Sequence, residues 1–248
     1  MAKDYAKATA VAGRPAAPSA LRQFSVLLRK DLTQEFRTKE MLVSMVVYAV
    51  LVIIVLGVAL SFAKPSQEYL EVCGGLLWVL IVFTSLLGLN KSFSREKENG
   101  CLEGLLLAPV DRGAIFLAKA VSNLIFILLV EVLAVPLFWF FFASFATPAE
   151  TAWLSVVPLL VGSVGIAGVG TLLSTITVNT RGKDVMLALL FVPVVFPLLY
   201  ACVSATTATL LGGEVFAATW TVSLVLAAGY DVIMILAAWV LYDFVVTA

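Results

Sequence analysis

Residues 41–63 read MLVSMVVYAVLVIIVLGVALSFA, a run without Asp, Glu, Lys or Arg. A helix rises about 1.5 Å per residue, so about 20 apolar residues cross the ~30 Å hydrocarbon core of a bilayer. A spanning strand would instead alternate apolar and polar residues over ~10 positions. The run therefore predicts a transmembrane helix, and the same reading recurs along the chain. Val72–Asn90 predicts a second span. Arg112–Phe142 predicts a third, with one acid inside, Glu131. The uncharged stretch 151–180 holds a fourth, at about 153–178. Val185–Ser204 and Trp220–Tyr242 predict the fifth and sixth, the last with Asp231 inside.

Composition agrees. Hydrophobic residues make up 62% of the 248 positions and charged residues 13%, about half the share of a water-soluble domain, ~25%. The chain contains no histidine, which excludes His general bases and His metal ligands. No metal site is expected. The three cysteines form no CxxC pair. Cys73 and Cys202 fall near the outer ends of their spans, where a disulfide requires the second and fifth spans to adjoin; small apolar filling is the reading adopted. The first twenty residues are rich in Ala and Pro without an apolar core. They predict a disordered tail rather than a secretory signal, followed by a six-span domain over 21–248.

Basic residues orient the bundle. Eight precede the first span, five lie in the connection from Lys91 to Lys119, and Arg181 and Lys183 separate the fourth and fifth spans; the other side holds Lys64 alone. This asymmetry predicts that both termini and the 91–119 connection of a multi-pass membrane protein are cytoplasmic. Ahead of the first span, Leu21, Phe24, Leu28, Leu32 and Phe36 recur at helical spacing with charges between them. They predict an amphipathic helix on the inner leaflet, with Glu35 and Lys39 as an i,i+4 pair.

The 91–119 connection is the most constructed part of the chain outside the spans. A charged cluster that includes Glu96 gives way to Asn99-Gly100-Cys101-Leu102-Glu103-Gly104-Leu105-Leu106-Leu107-Ala108-Pro109. Asn99 suits an N-cap, and Glu103 lies near the positive helix end. Leu102, Leu105 and Leu106 share a face, and Pro109 ends the helix within about two turns. Asp111 then caps the third span. Two readings stand on these residues alone: a coupling helix gripped by an ATPase, or a turn that returns the chain to the bilayer.

Within the spans, Glu131 and Asp231 stand out because a carboxylate at the bilayer centre costs at least about 2.5–3.5 kcal/mol. Each is read as protonated, hydrogen-bonded to a neighbouring span or facing a partner subunit. The functional version is a gate, and the plainer one a static interhelical hydrogen bond. In the fourth span, Ser163, Ala167 and Thr171, and Gly170 and Ser174, stand at small-xxx-small spacing, which allows close helix packing. Pro193 and Pro197 predict a bend in the fifth span.

Several segments resemble one family. The run from Gly75-Leu76-Leu77-Trp78 through Leu86-Leu87, the Gly100–Pro109 motif with Leu117-Ala118-Lys119, the opening Arg29–Arg37 and the Pro193–Pro197 pair together resemble heme exporter protein B. That family is the permease subunit of the cytochrome c maturation ABC transporter. The resemblance covers nearly all of the chain from residue 21. The loop motif is shared more loosely with other six-span ABC exporter permeases. The resemblance implies a permease whose ATP is bound and hydrolysed in a separate ABC ATPase subunit, consistent with the lack of a GxxxxGK[ST] motif. It assigns ATPase coupling to Glu96, Asn99, Gly100, Leu102, Glu103, Leu105 and Leu106. It implies a heme-binding membrane subunit, a periplasmic heme chaperone and a dimer of permease subunits as partners. Heme is handled by the complex, with no cofactor, catalytic residue or nucleic acid assigned to this chain. Export of heme and ATP-driven release of heme from a partner complex are both expected on this basis. A non-energised assembly scaffold, or a permease for another substrate, is the alternative.

Overall fold

The computed structural model describes residues 19–60, 62, 66–98, 111–142, 148–178, 180 and 182–247. The tail 1–18 and the element 99–110 lie outside the described residues.

All regular structure among the described residues is helical. Helix α1 covers Ala20–Thr38, α2 Glu40–Leu60, α3 Gln67–Glu98 and α4 Arg112–Phe142. A short α5, Ala149–Ala152, leads through a 3-10 turn into α6, Val156–Thr177; α7 covers Lys183–Leu211 and α8 Gly213–Thr247. Six of these, α2, α3, α4, α6 with its lead-in, α7 and α8, are long and apolar enough to cross a membrane. The six-span, all-helical expectation is met.

Burial follows the logic of a bundle dissolved in lipid. On α2, Met41, Met45, Ala49 and Ile53 are buried at four-residue spacing, while Val43, Val47, Leu51, Ile54 and Val58 stay exposed. A soluble helix would turn polar residues outward; here every outward residue of that set is apolar, as hydrocarbon demands. Helices α6 and α3 are the most enclosed. Helix α6 packs against α3, α4, α7 and α8 and forms the axis of the fold.

Glycine makes that central position sterically accessible. A Cβ on Gly162 would strike the Trp78 ring, and one on Gly165 would strike Asp231 Oδ1 and Leu198 Cδ2. Ser163, Ala167, Thr171 and Ser174 are likewise buried. The small-residue pattern thus lets four neighbouring helices close on α6.

Several buried hydroxyls, such as those of Thr84, Thr175 and Thr177, bond back to their own helix, while other polar contacts run between helices. Trp78 Nε1 of α3 donates to Thr206 Oγ1 of α7 at 3.0 Å, and Asn123 Nδ2 of α4 donates to Thr171 Oγ1 of α6 at 3.0 Å. Cys73 and Cys202 are fully buried and remain free thiols, although α3 and α7 pack together.

With six crossings, α1, the end of α3 and the start of α4, the end of α6 and the start of α7, and the end of α8 all lie on one face. We call it the loop face. At the opposite face α7 and α8 reverse through Gly212, held at φ +68° with Pro148 packed on it. The sequence suggested a longer connection there, because the apolar runs stop before the helices do.

Candidate functional site

The loop face is organised around α1. Gln23, Leu27, Asp31 and Glu35 recur every four residues and form the stripe that meets the bundle. Asp31 and Lys119 form an ion pair at 2.8 Å, with side chains only 9% and 7% exposed. Lys119 sits two turns inside α4, too deep for its ammonium to remain unpaired at low cost. Lys30 Nζ at 3.2 Å and Ser122 Oγ at 3.5 Å complete the surroundings of the Asp31 carboxylate.

The same stripe is tied at two further points. Gln23 Oε1 accepts the Asp111 backbone N–H at 2.9 Å, at the point where the chain leaves the 99–110 element and enters α4. Asp111 Oδ1 in turn accepts the Gly113 N–H at 3.0 Å, the capping role its position predicts. At the other end Glu35 Oε1 accepts the N–H groups of Met41 at 2.8 Å and Leu42 at 3.0 Å. A carboxylate is well placed there, because those donors have no partner within the first turn of α2 and the helix dipole favours a negative charge. Expected to pair with Lys39, Glu35 instead turns inward to cap α2. Lys39 makes the corner between α1 and α2 in the left-handed region, at φ +57°.

Leu27 packs on a small cluster at this face formed by Ile115, Phe116, Leu172, Ala238 and Tyr242, in which the Phe116 and Tyr242 ring centroids lie 5.3 Å apart. Leu21, Val26 and Phe36 are exposed and available to lipid. Helix α1 is therefore amphipathic as expected, but the face it docks on the bundle is mixed, with Gln23, Asp31 and Glu35 interleaved with Leu27 and Leu32. Nearby, Lys91 Nζ donates to Ser44 Oγ at 2.6 Å. A crevice where α1–α4 meet is lined by Asp31, Glu35, Lys91 and Lys119, two acids opposed by two bases. The result is a single polar joint connecting α1 to both α2 and α4.

Of the residues assigned to ATPase coupling, Asn99, Gly100, Leu102, Glu103, Leu105 and Leu106 lie outside the described residues. Glu96 falls on the last turn of α3, and its side chain is likewise outside them.

The two intramembrane acids are not brought together. Both meet α6, at Ser163 and Gly165. Two residues along a helix are about 3 Å of rise and about 200° of rotation, so the acids sit at similar depth on opposite sides of α6. Glu131, 8% exposed, accepts a 2.6 Å hydrogen bond from Ser163 Oγ. A small, mainly apolar cavity beside it is lined by Met45, Leu80, Ile127 and Val130 as well as Thr84 and Ser85, and Ser85 Oγ is buried there without a hydrogen-bond partner among the described residues. Asp231, 5% exposed, rests its carboxyl against Gly165, and its Oδ1 has no partner among the described residues.

Pro193 and Pro197 both face outward on α7, which continues as a helix through both. Each ring removes a backbone donor. Tyr230 of α8 donates its hydroxyl to the Val194 carbonyl at 2.5 Å, close to the stretch those prolines loosen. Helix α4 carries a further proline, Pro136, that sequence patterning did not single out. Nor did patterning reveal the ion pair, the Glu35 cap or the Gln23 tie. One signal pointed to the first: a lysine seven residues into an apolar span requires an acid from elsewhere.

The family model described as CcmB protein matches residues 22–244, from the first turn of α1 to the last turns of α8. Among curated relatives, heme exporter protein B of Pseudomonas aeruginosa is 29% identical over 190 residues, covering 76% of this chain and 82% of that protein. That of Rhodobacter capsulatus is 33% identical over 136 residues, 54% of this chain and 61% of the relative. That of Haemophilus influenzae is 25% identical over 179 residues, 71% and 77%. The match takes in the polar joint, both intramembrane acids and all six spans, and this chain belongs to the CcmB protein family.

Proposed function

We propose that this chain is the membrane subunit of an ATP-driven heme export system serving cytochrome c maturation in a bacterial inner membrane. The loop face is the cytoplasmic one, on the strength of its Lys and Arg excess. A separate ABC ATPase engages the 99–109 element through Leu102, Leu105 and Leu106, with Glu96, Asn99, Gly100 and Glu103 shaping it. ATP is bound and hydrolysed in that subunit.

The observation that carries this reading is the polar joint. The 99–110 element leads directly into Asp111, and Asp111 is hydrogen-bonded to Gln23 of α1. Two turns further, α4 is held to α1 by Lys119 and Asp31, and α1 caps α2 through Glu35. A displacement at the loop exit therefore reaches two spans through short polar contacts, an exposed one at Asp111 and buried ones at Lys119 and Met41. Beyond the joint, the glycine-lined α6 and the proline-bearing α7 supply the surfaces on which spans can repack.

Heme enters as cargo of the complex. The chain has no histidine, so axial histidine ligation belongs to another subunit, such as a heme-binding membrane protein or a heme chaperone on the far side. Driving release of heme from that partner fits this chain as well as carrying heme across. A complete machine would contain a second permease half.

The test is purification of the complex from membranes carrying Leu102→Arg or Leu105→Arg. Each variant is expected to insert normally and to lose the ATPase subunit. Normal recovery of the ATPase with both variants would overturn the coupling role. A hydrolysis-dead ATPase that still supports cytochrome c maturation would favour a passive scaffold.

A further inference from the structure

Helix α1 sorts its charges by side. Both of its acids, Asp31 and Glu35, face the bundle, one paired with Lys119 and the other capping α2. On the opposite side Arg29, Thr33 and Arg37 recur every four residues, and all three are exposed. They line an open hollow together with Val26, Lys30 and Gln34, and no acid borders it among the described residues. Lys30 is paired with Asp31, but Arg29 and Arg37 form no ion pair among the described residues.

This side of α1 lies at the level of a bilayer surface. Arg37 is four residues ahead of Met41, where the uncharged run of α2 begins. Asp31 is held beside Lys119, about 10 Å along α4 from its first residue. Val26 and Phe36, 60% and 50% exposed, flank the basic line. Basic and apolar residues side by side at that depth are the pattern of a helix seated among headgroups. A phospholipid meets both at once, its phosphate the arginines and its acyl chains the apolar pair.

We propose that Arg29, Thr33 and Arg37 bind the headgroup of an anionic phospholipid, with its phosphodiester seated over Thr33 between the two guanidinium groups. Arg29 and Arg37 are about 12 Å apart along the helix, so a phosphate above Thr33 lies about 6 Å along the axis from each. A guanidinium presents paired N–H donors that fit phosphate oxygens, and the Thr33 hydroxyl is a further donor. A zwitterionic lipid brings its own ammonium into the same positive field, so an anionic headgroup is preferred. The bound lipid holds the outer side of α1 to the bilayer while its inner side holds α2 and α4, and in this way it braces the polar joint. The site requires only that α1 lie on a bilayer surface, so it stands apart from ATP coupling through the loop face.

The experiment titrates the full chain, purified in a neutral detergent, with phosphatidylglycerol in mixed micelles, and counts bound lipid by native mass spectrometry. Phosphatidylcholine is the neutral reference, and phosphatidylglycerol should bind in clear preference to it. Arg29→Gln and Arg37→Gln should each weaken phosphatidylglycerol binding about fivefold, and the double variant about 30-fold. Arg22→Gln combined with Lys183→Gln removes the same charge outside the hollow and should weaken it less than about threefold. Without lipid, the Arg29→Gln, Arg37→Gln double variant should unfold at the same temperature as the parent, because neither arginine has an ion-pair partner to lose. No preference for phosphatidylglycerol, equal weakening by the control pair, displacement of the lipid by glycerol 3-phosphate, or a lower unfolding temperature of the lipid-free double variant would each overturn the proposal. Loss of the ATPase subunit from membranes of the double variant, with lipid binding intact, would also overturn it and assign the hollow to a protein partner.

Discussion

Replacing Lys119 with Met tests whether the joint at the loop face is a structural tie. The substitution keeps most of the side-chain volume and strands the Asp31 carboxylate, 9% exposed, without its 2.8 Å partner. Removing one member of a buried ion pair costs about 3–5 kcal/mol. Lys30, 40% exposed at 3.2 Å, offsets part of that loss, but an exposed partner contributes only about 0–1 kcal/mol. The expected cost is therefore about 2–4 kcal/mol. Asp31→Asn in the Lys119→Met background removes the stranded charge and should recover part of the loss. A double-mutant cycle should give a coupling of about 1.5–3 kcal/mol, well above that of surface pairs. The assay uses the protein's own thiols. Cys73 and Cys202 are fully buried, so in a Cys101→Ser background a thiol-reactive dye reports unfolding in detergent. On the proposed function, Lys119→Met should lower cytochrome c maturation in cells while the ATPase still co-purifies, because the 99–109 residues proposed to bind it are unchanged. Single variants that each cost under about 1 kcal/mol and add without coupling would refute the buried-tie argument.

Lys39→Gly should stabilise the protein by about 1 kcal/mol, because Lys39 occupies a left-handed corner that glycine enters without strain; the same thiol assay reads it. Gly165→Leu should destabilise by at least about 1–3 kcal/mol, since its side chain would occupy the space of Asp231 and Leu198, and unchanged stability would mean that α6 and α8 can separate. Glu131→Gln should be nearly neutral, because an amide oxygen still accepts from Ser163, whereas Glu131→Leu should cost about 0.6–2 kcal/mol; equal stability of the two would remove the hydrogen bond from the account. Asn123→Leu should cost about as much through the lost contact to Thr171, and its effect should vanish in a Thr171→Val background.

Much of this architecture is legible in the amino-acid sequence itself. Uncharged runs long enough to cross a bilayer require helices, because hydrocarbon leaves no other partner for backbone groups. The spacing of Ser163, Ala167 and Thr171 marks a close-packing face, and the structure places all three in the interior. What stays hidden involves pairings between distant segments. Asp31 sits among the surface charges of an amphipathic helix, and Lys119, counted with the basic residues of a loop, asks for an acid without naming one. Their meeting depends on α1 folding back along α4, which periodicity does not encode. Glu35 shows the same limit. At i,i+4 from Lys39 it predicts a surface pair, but the left-handed turn at Lys39 brings α2 back toward it and offers two backbone donors instead. The apolar runs also mark the membrane-crossing parts of α7 and α8 better than their helical ends. Threonine and glycine near Gly212 lower the hydropathy while leaving the helices intact.

The proposed coupling requires a handle at residues 99–109 that faces the cytoplasm and is held by an ATPase. The most direct measurement is labelling of Cys101 by a membrane-impermeant maleimide in two preparations. Inside-out vesicles stripped of the ATPase should label readily and become protected when purified ATPase is added back, and intact spheroplasts should not label. Labelling of Cys101 from the outer side, or no protection by the ATPase, would contradict it.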